Sequence, residues 1–252
     1  MFSGLAGWHL MILLALFIVP VVLIVLFVRR ARRTGNPSPV VNLTLVLSSL
    51  WAGLGLLGAI IGLVSALAAP TVAVTVPVSS FWPELLPGVV ITDGPTASVA
   101  SGGFTEASLM VDGMSTTARV LWGVGQFLIA TAPTVIAAMI AVACFQLLAG
   151  RAFAPAVARF ALLTGIIVAV AGTAGEILSD LGGSMVSRAL LTVTAARYPD
   201  IPGIEDPFAW WPSSALDIDI PLWPIAVGLA FAALAAIFRY GSGLQRDTEG
   251  LV

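Results

Sequence analysis

Long apolar runs separated by short polar breaks dominate the chain. Five of them, His9 to Val28, Val41 to Ala68, Val120 to Ala149, Ala156 to Ile177 and Leu222 to Phe238, approach or exceed the about 20 residues that a helix needs to cross a bilayer at a rise of about 1.5 Å. After the second run the pattern changes. Thr71 to Val78 alternates polar and β-branched residues, which is strand periodicity. Further strand candidates are Gly88 to Thr92, Thr96 to Ser101 and Ala107 to Asp112, punctuated by Asp93-Gly94 and Gly102-Gly103. A second long connection, 179–221, carries a helical stretch from Leu181 to Ala196, then a proline- and tryptophan-rich run including Trp210 and Trp211, and a closing alternation from Leu216 to Ile220. The pattern predicts a mainly α, polytopic membrane helix bundle of five spans. Outer loops 70–118 and 179–221 together form a small extracytoplasmic β-rich cap, since neither alone has enough apolar surface for a stable core. Residues 1–39 read as an anchor helix and basic cytoplasmic linker, and residues 40–252 as a four-span membrane domain.

Charge orients this arrangement. Gly150-Arg151-Ala152-Phe153-Ala154-Pro155, with Ala158-Arg159, is a short basic turn between two apolar runs. It reads as a cytoplasmic hairpin, with Pro155 opening the following helix, where its missing N–H costs nothing. All eleven basic residues are arginine, and eight of them (Arg29, Arg30, Arg32, Arg33, Arg151, Arg159, Arg239 and Arg246) fall on that side if the spans alternate. The acids gather opposite. The amino terminus is then outside and the carboxyl terminus inside a bacterial cytoplasmic membrane. The basic cluster follows the first apolar run instead of preceding it, the reverse of a secretory signal peptide, so Trp8 to Val28 reads as a retained anchor.

Composition closes off several classes of function. At 59% hydrophobic residues, 10% charged and a mean hydropathy of +1.05, the chain is too apolar to keep its surface wet as a soluble domain. A single cysteine, Cys144, excludes an internal disulfide framework, and a single histidine, His9, has no second imidazole with which to complete a metal site. Small residues repeat at spacings of four on two spans, Gly58, Gly62 and Ala66, and Ala161, Gly165, Ala169 and Thr173. Such stripes let helix backbones approach, within the bundle or in an oligomer.

The turn at 150–159 resembles the Gly-Arg-Pro-Phe-Xaa-Pro turn of a bacterial membrane family, domain of unknown function family 2975. The tail, Ile237-Phe238-Arg239-Tyr240-Gly241, then Leu244-Gln245 and Asp247 to Val252, is similar to that family's closing amphipathic segment. The resemblance covers roughly residues 40 to 252. It implies four spans with a long first outer loop, leaving residues 1–39 as an addition, and it carries no catalytic residue, cofactor or ligand across. Its members' genes often neighbour small helix-turn-helix regulators, which implies a regulatory protein partner.

Candidate chemistry is sparse. Glu176 is the only acid inside a predicted span, about 25 Å along the helix from Arg159 and so near the outer boundary. Asp180 stands one turn further on the same face, and the pair is placed to meet a cation or protons, or to form a solvated helix end under the cap. Trp210 and Trp211, with Phe81-Trp82, supply either the cap's core, a rim at headgroup level or a pocket wall. No nucleophile elbow, phosphate loop, histidine dyad or metal-ligand set is present, so no enzyme, cofactor or direct nucleic-acid binding is expected. The sequence points first to a sensor or regulatory membrane component acting through protein partners. The alternative is a transporter or channel component, for which only Thr131, Pro133 and Thr134 supply groups of the right kind within a span.

Overall fold

The computed structural model describes residues 38–83, 85, 90–197, 208 and 211–249 of the chain. In chain order the elements are helix α1 (Ser38–Ala68), strands β1 (Thr71–Phe81) and β2 (Phe104–Asp112), and helices α2 (Thr116–Leu148), α3 (Pro155–Leu191) and α4 (Trp223–Glu249). All four helices are long and apolar enough to cross a membrane. The fifth expected span, His9 to Val28, lies outside the described residues, as does the linker that follows it up to residue 37, while Ser38 and Pro39, expected in that linker, already belong to α1.

The helices pack through small residues. On α3 the positions Ala161, Gly165, Val168, Gly172, Gly175, Ser179, Gly182 and Val186 are all buried, and their spacings alternate between four and three. A strict four-residue stripe drifts by about 40° per step around a helix, whereas an average of 3.5 stays on one face, as in a coiled-coil seam. This corrects the expected stripe: Ala161 and Gly165 belong to the contact, but the seam then passes through Val168 and Gly172, with Ala169 and Thr173 beside it. On α1 the correction is larger. A side chain at Gly58 or Gly62 would meet nothing within 4 Å, while one at Gly55 would lie 2.7 Å from Thr134 Oγ1. The buried face of α1 is instead Ser48, Ala59 and Ala66, at spacings of eleven and seven that return to one side of a helix.

The described chain falls into two compact units, and every helix contributes to both. One unit contains Pro133–Val168 with the adjoining parts of α1 and α4. Its core is Met139, Val157, Ala161 and Ala235. The expected basic hairpin is there. Gly150 ends α2 with φ 72°, and Arg151 N–H reaches back to Gln146 C=O at 2.9 Å, a helix end that needs a residue without Cβ strain. Pro155 then opens α3. Phe153 from the turn packs on Phe238 of α4, ring centroids 6.2 Å apart, and over Gly241, where an added Cβ would meet the Phe153 ring. The two segments that carry the family resemblance therefore touch.

The other unit holds Leu57–Ala132 and Ala169–Ile225. Strands β1 and β2 form an antiparallel hairpin in the register Thr71 with Asp112 through Pro77 with Glu106. Alternate residues of β1, Val72, Val74 and Val76, are buried against Ala66, Ala118 and Val186. Arg119, one of the arginines on the outer side of the predicted topology, has a structural reason to be there: its guanidinium donates to Ala69 and Pro70 carbonyls just past the end of α1. Trp122 Nε1 donates to Ala73 C=O at 3.1 Å, fastening β1 to α2.

Three expectations for the cap need correction. The helical stretch Leu181 to Ala196 is not separate from the span before it, because α3 runs without a break from Pro155 to Leu191. Gly182 and Gly183 allow close approach there without interrupting the helix: a Cβ at Gly182 would lie 2.8 Å from Trp122 N, and one at Gly183 2.6 Å from Thr75 O. Thr96 to Ser101 forms no strand, nor do residues 90–92, the described part of the Gly88 to Thr92 candidate. Leu216 to Ile220 is not a strand either. Among the described residues, the second loop meets the hairpin at a single bridge, Val78 to Ser214, with Ser79 N–H donating to Ser213 C=O at 3.0 Å.

Candidate functional site: an acidic cavity beside the β-hairpin

Residues 216–220 are alternately apolar and acidic, and the backbone of 215–219 lies along α3 instead of pairing with β1. Side chains one face apart on α3 receive it. Ser187 Oγ accepts from Ala215 N–H at 3.3 Å, Ser184 Oγ exchanges hydrogen bonds with Asp217 N–H and C=O, both at 3.4 Å, and Asp180 Oδ2 accepts from Asp219 N–H at 2.9 Å. Ser187 also donates to Pro77 C=O at 2.5 Å. Positions 180, 184 and 187 follow the i, i+4, i+7 rule of a single helical face. Because a backbone group buried without a partner is costly, this row of side chains stands in for a strand neighbour.

Asp180, at one end of the row, also lines a cavity of about 230 Å³. Glu176, Asp180 and Asp217 line it together with Glu106 from β2, while Gln126 of α2 and Ser179 close one side with a 3.2 Å hydrogen bond between them. The structure thus brings Glu176 and Asp180 together, as expected, and adds two carboxylates. Their setting differs from the expected helix end, because α3 continues past both of them to Leu191 and the continuing turns bear the hairpin. A wall of four carboxylates is a region of negative potential. Among the described residues, no three His, Cys, Asp or Glu side chains are grouped so as to hold a metal ion. The negative potential favours cations over anions.

The tryptophans take different parts. Trp211 is 48% exposed and its Nε1 donates to Leu191 C=O at 3.1 Å, satisfying a carbonyl at the last residue of α3. It is a helix cap at the rim, away from the acidic cavity. Trp210 lies outside the described residues. Trp82, half exposed, stacks on Phe104 with centroids 5.4 Å apart, so the Phe81-Trp82 cluster forms a rim and no core. Thr131, one of the few polar groups that suggested a path through the helices, donates its hydroxyl to Phe127 C=O of its own helix at 2.8 Å.

Sequence reasoning missed Glu106, Gln126, Ser184, Ser187 and Asp217. A signal existed for two of them, since Ser184 and Ser187 continue the helical face of Asp180 once α3 is extended. Nothing local marks Glu106 or Gln126, which join the site through the register of the hairpin and the crossing of α2 over α3. No family model, curated protein or solved structure matches the chain.

Proposed function

We propose that the protein is a sensory or regulatory component of a bacterial cytoplasmic membrane, of the kind that the resemblance to family 2975 implies. It has its cap outside and its carboxyl terminus in the cytoplasm, and acts through a protein partner such as a helix-turn-helix regulator. The observation that supports this reading is the bonding of the cap to α3. Hairpin and second loop are both fastened by side chains of one helix, and that helix is continuous from the basic turn at Pro155 to the cap at Leu191. A displacement of the cap is therefore a load on α3. A rigid helix is the kind of element that passes such a load on, provided it has two discrete positions.

The test compares the transcription of host cells that carry the parent chain, a deletion, and the variant Asp180→Asn with Ser184→Ala, accumulation being checked by blotting. A regulatory component gives a discrete set of changed transcripts in the deletion, partly reproduced by the cap variant. Unchanged transcription in the deletion, or ion flux through proteoliposomes of the purified chain, would favour a transporter or channel component and end this reading.

A further inference from the structure

The first turns of α3 and the last apolar turns of α4 enclose a second cavity, of about 470 Å³. Its polar end carries Arg159, Arg239 and Ser242, and its other wall is made by Leu162, Ala232 and Ala236. We propose that this groove holds one anionic phospholipid, its phosphate between the two guanidinium groups and an acyl chain along the alanine wall.

Four observations carry the assignment. The two arginines come from different helices, Arg159 at the start of α3 and Arg239 near the end of the apolar part of α4, yet they line the same cavity. No acid among the described lining residues neutralises them, and neither guanidinium has a hydrogen-bond or ion-pair partner among the described residues. Two like charges beside an apolar wall repel, and an anion placed between them relieves both while accepting charge-assisted hydrogen bonds. The positive end of the α3 dipole adds to the same field, because Pro155 and Ala158 of its first turn also line the cavity.

The walls decide between a lipid and a free anion. Pro155–Leu191 and Trp223–Gly243 both qualify as membrane spans, so both arginines stand close to span ends, where lipid phosphates are found. From there the groove continues along alanine and leucine, which offer a phosphate nothing and an acyl chain an apolar surface. Small side chains at 232, 235 and 236 create the hollow, where larger ones would have filled it. Two arginines snorkelling independently to the interface would require no such hollow.

The experiment uses the full chain, purified in mild detergent and examined by native mass spectrometry with added phosphatidylglycerol or phosphatidylcholine. The parent should retain one phosphatidylglycerol in preference to phosphatidylcholine. Arg159→Gln with Arg239→Gln should lower that retention by about tenfold, and Leu162→Trp, which fills the groove and leaves the charges in place, should lower it as well. Leu162 is exposed at 43%, so its replacement leaves the core intact, and unchanged protease resistance checks this. Millimolar glycerol phosphate should not displace the lipid. Equal retention of the two lipids, or retention unaffected by the double arginine change, would overturn the proposal. A loss seen with the arginine variant but not with Leu162→Trp would reduce the site to general surface attraction and overturn the groove. Displacement by glycerol phosphate would show an anion site without a lipid.

Discussion

Ser187 and Pro77 are 110 residues apart in sequence and are joined by a 2.5 Å hydrogen bond from the serine hydroxyl to the proline carbonyl. The serine is completely buried, and its oxygen also accepts from Ala215 N–H. One small side chain on α3 thus satisfies the β-hairpin and the loop that carries Ala215 together. Pro77 cannot donate to a neighbouring strand, but its carbonyl can still accept, and Ser187 supplies the donor.

Ser187→Ala should therefore loosen both loops at once. It strands the carbonyl of buried Pro77 and the N–H of half-buried Ala215, at a cost of about 1–3 kcal/mol. Hydrogen exchange in nanodiscs should rise in β1 near Pro77 and in residues 213–217 together. A rise in one segment alone would mean that the hydroxyl does not couple them.

Gly165 and Gly62 should respond oppositely to alanine. A Cβ at Gly165 would lie 2.7 Å from Gly228 O, a backbone atom that cannot turn away, so Gly165→Ala should cost about 1–3 kcal/mol through overpacking. Gly62 has open space around its Cβ position, and Gly62→Ala should stay within about 0.5 kcal/mol of the parent. Thermal unfolding in detergent, followed by exposure of Cys144 to a thiol dye, separates them. Equal destabilisation would place Gly62 in a contact between copies of the chain.

Cysteine pairs locate the pairing in the cap. On a Cys144→Ala background, Val78→Cys with Ser214→Cys and Thr75→Cys with Ser108→Cys should each form a disulfide, since both are direct antiparallel neighbours. Thr75→Cys with Asp217→Cys should not, because the backbone of Asp217 is held by Ser184. Efficient crosslinking of that third pair would restore the strand that sequence alternation suggested.

The arrangement of termini is testable with single cysteines on the same background. An impermeant maleimide applied to intact cells should label Ser101→Cys and Ser213→Cys, both on the outer side of the proposed topology, but not Ser38→Cys at the start of α1. Labelling at position 38 would reverse the orientation and remove the regulatory reading.

Much of the framework could be read from residues alone, for identifiable reasons. Span length and arginine placement are properties of continuous segments, so α1, α2 and α4 fell where apolar runs do, and Pro155 marked the start of α3 because a proline there is locally favourable. The other end of α3 was hidden. Glu176, Asp180 and the Gly182-Gly183 pair look like a boundary by composition, whereas the burial of the two glycines depends on Trp122 and Thr75, which arrive from far along the chain. The alternation at 216–220 misled for a related reason: it correctly announced an extended backbone but could not say that the neighbour would be a helix. The acidic cavity was half legible, through Glu176 and Asp180, which share a helical face. Glu106 and Asp217 enter it only through tertiary register.

The pairing of residues 215–219 with α3 also sets its own limit. An extended chain advances about 3.3 Å per residue and a helix about 1.5 Å, so two residues of the first span more than one turn of the second. Like the scales of a vernier, the two agree over a short stretch, from Ser187 to Asp180, and then fall out of step. The contact cannot lengthen, and the N–H groups of Ala215, Asp217 and Asp219, already held by side chains, are not free to recruit another strand. One edge of a segment with strand-like alternation is thus covered by the face of a helix.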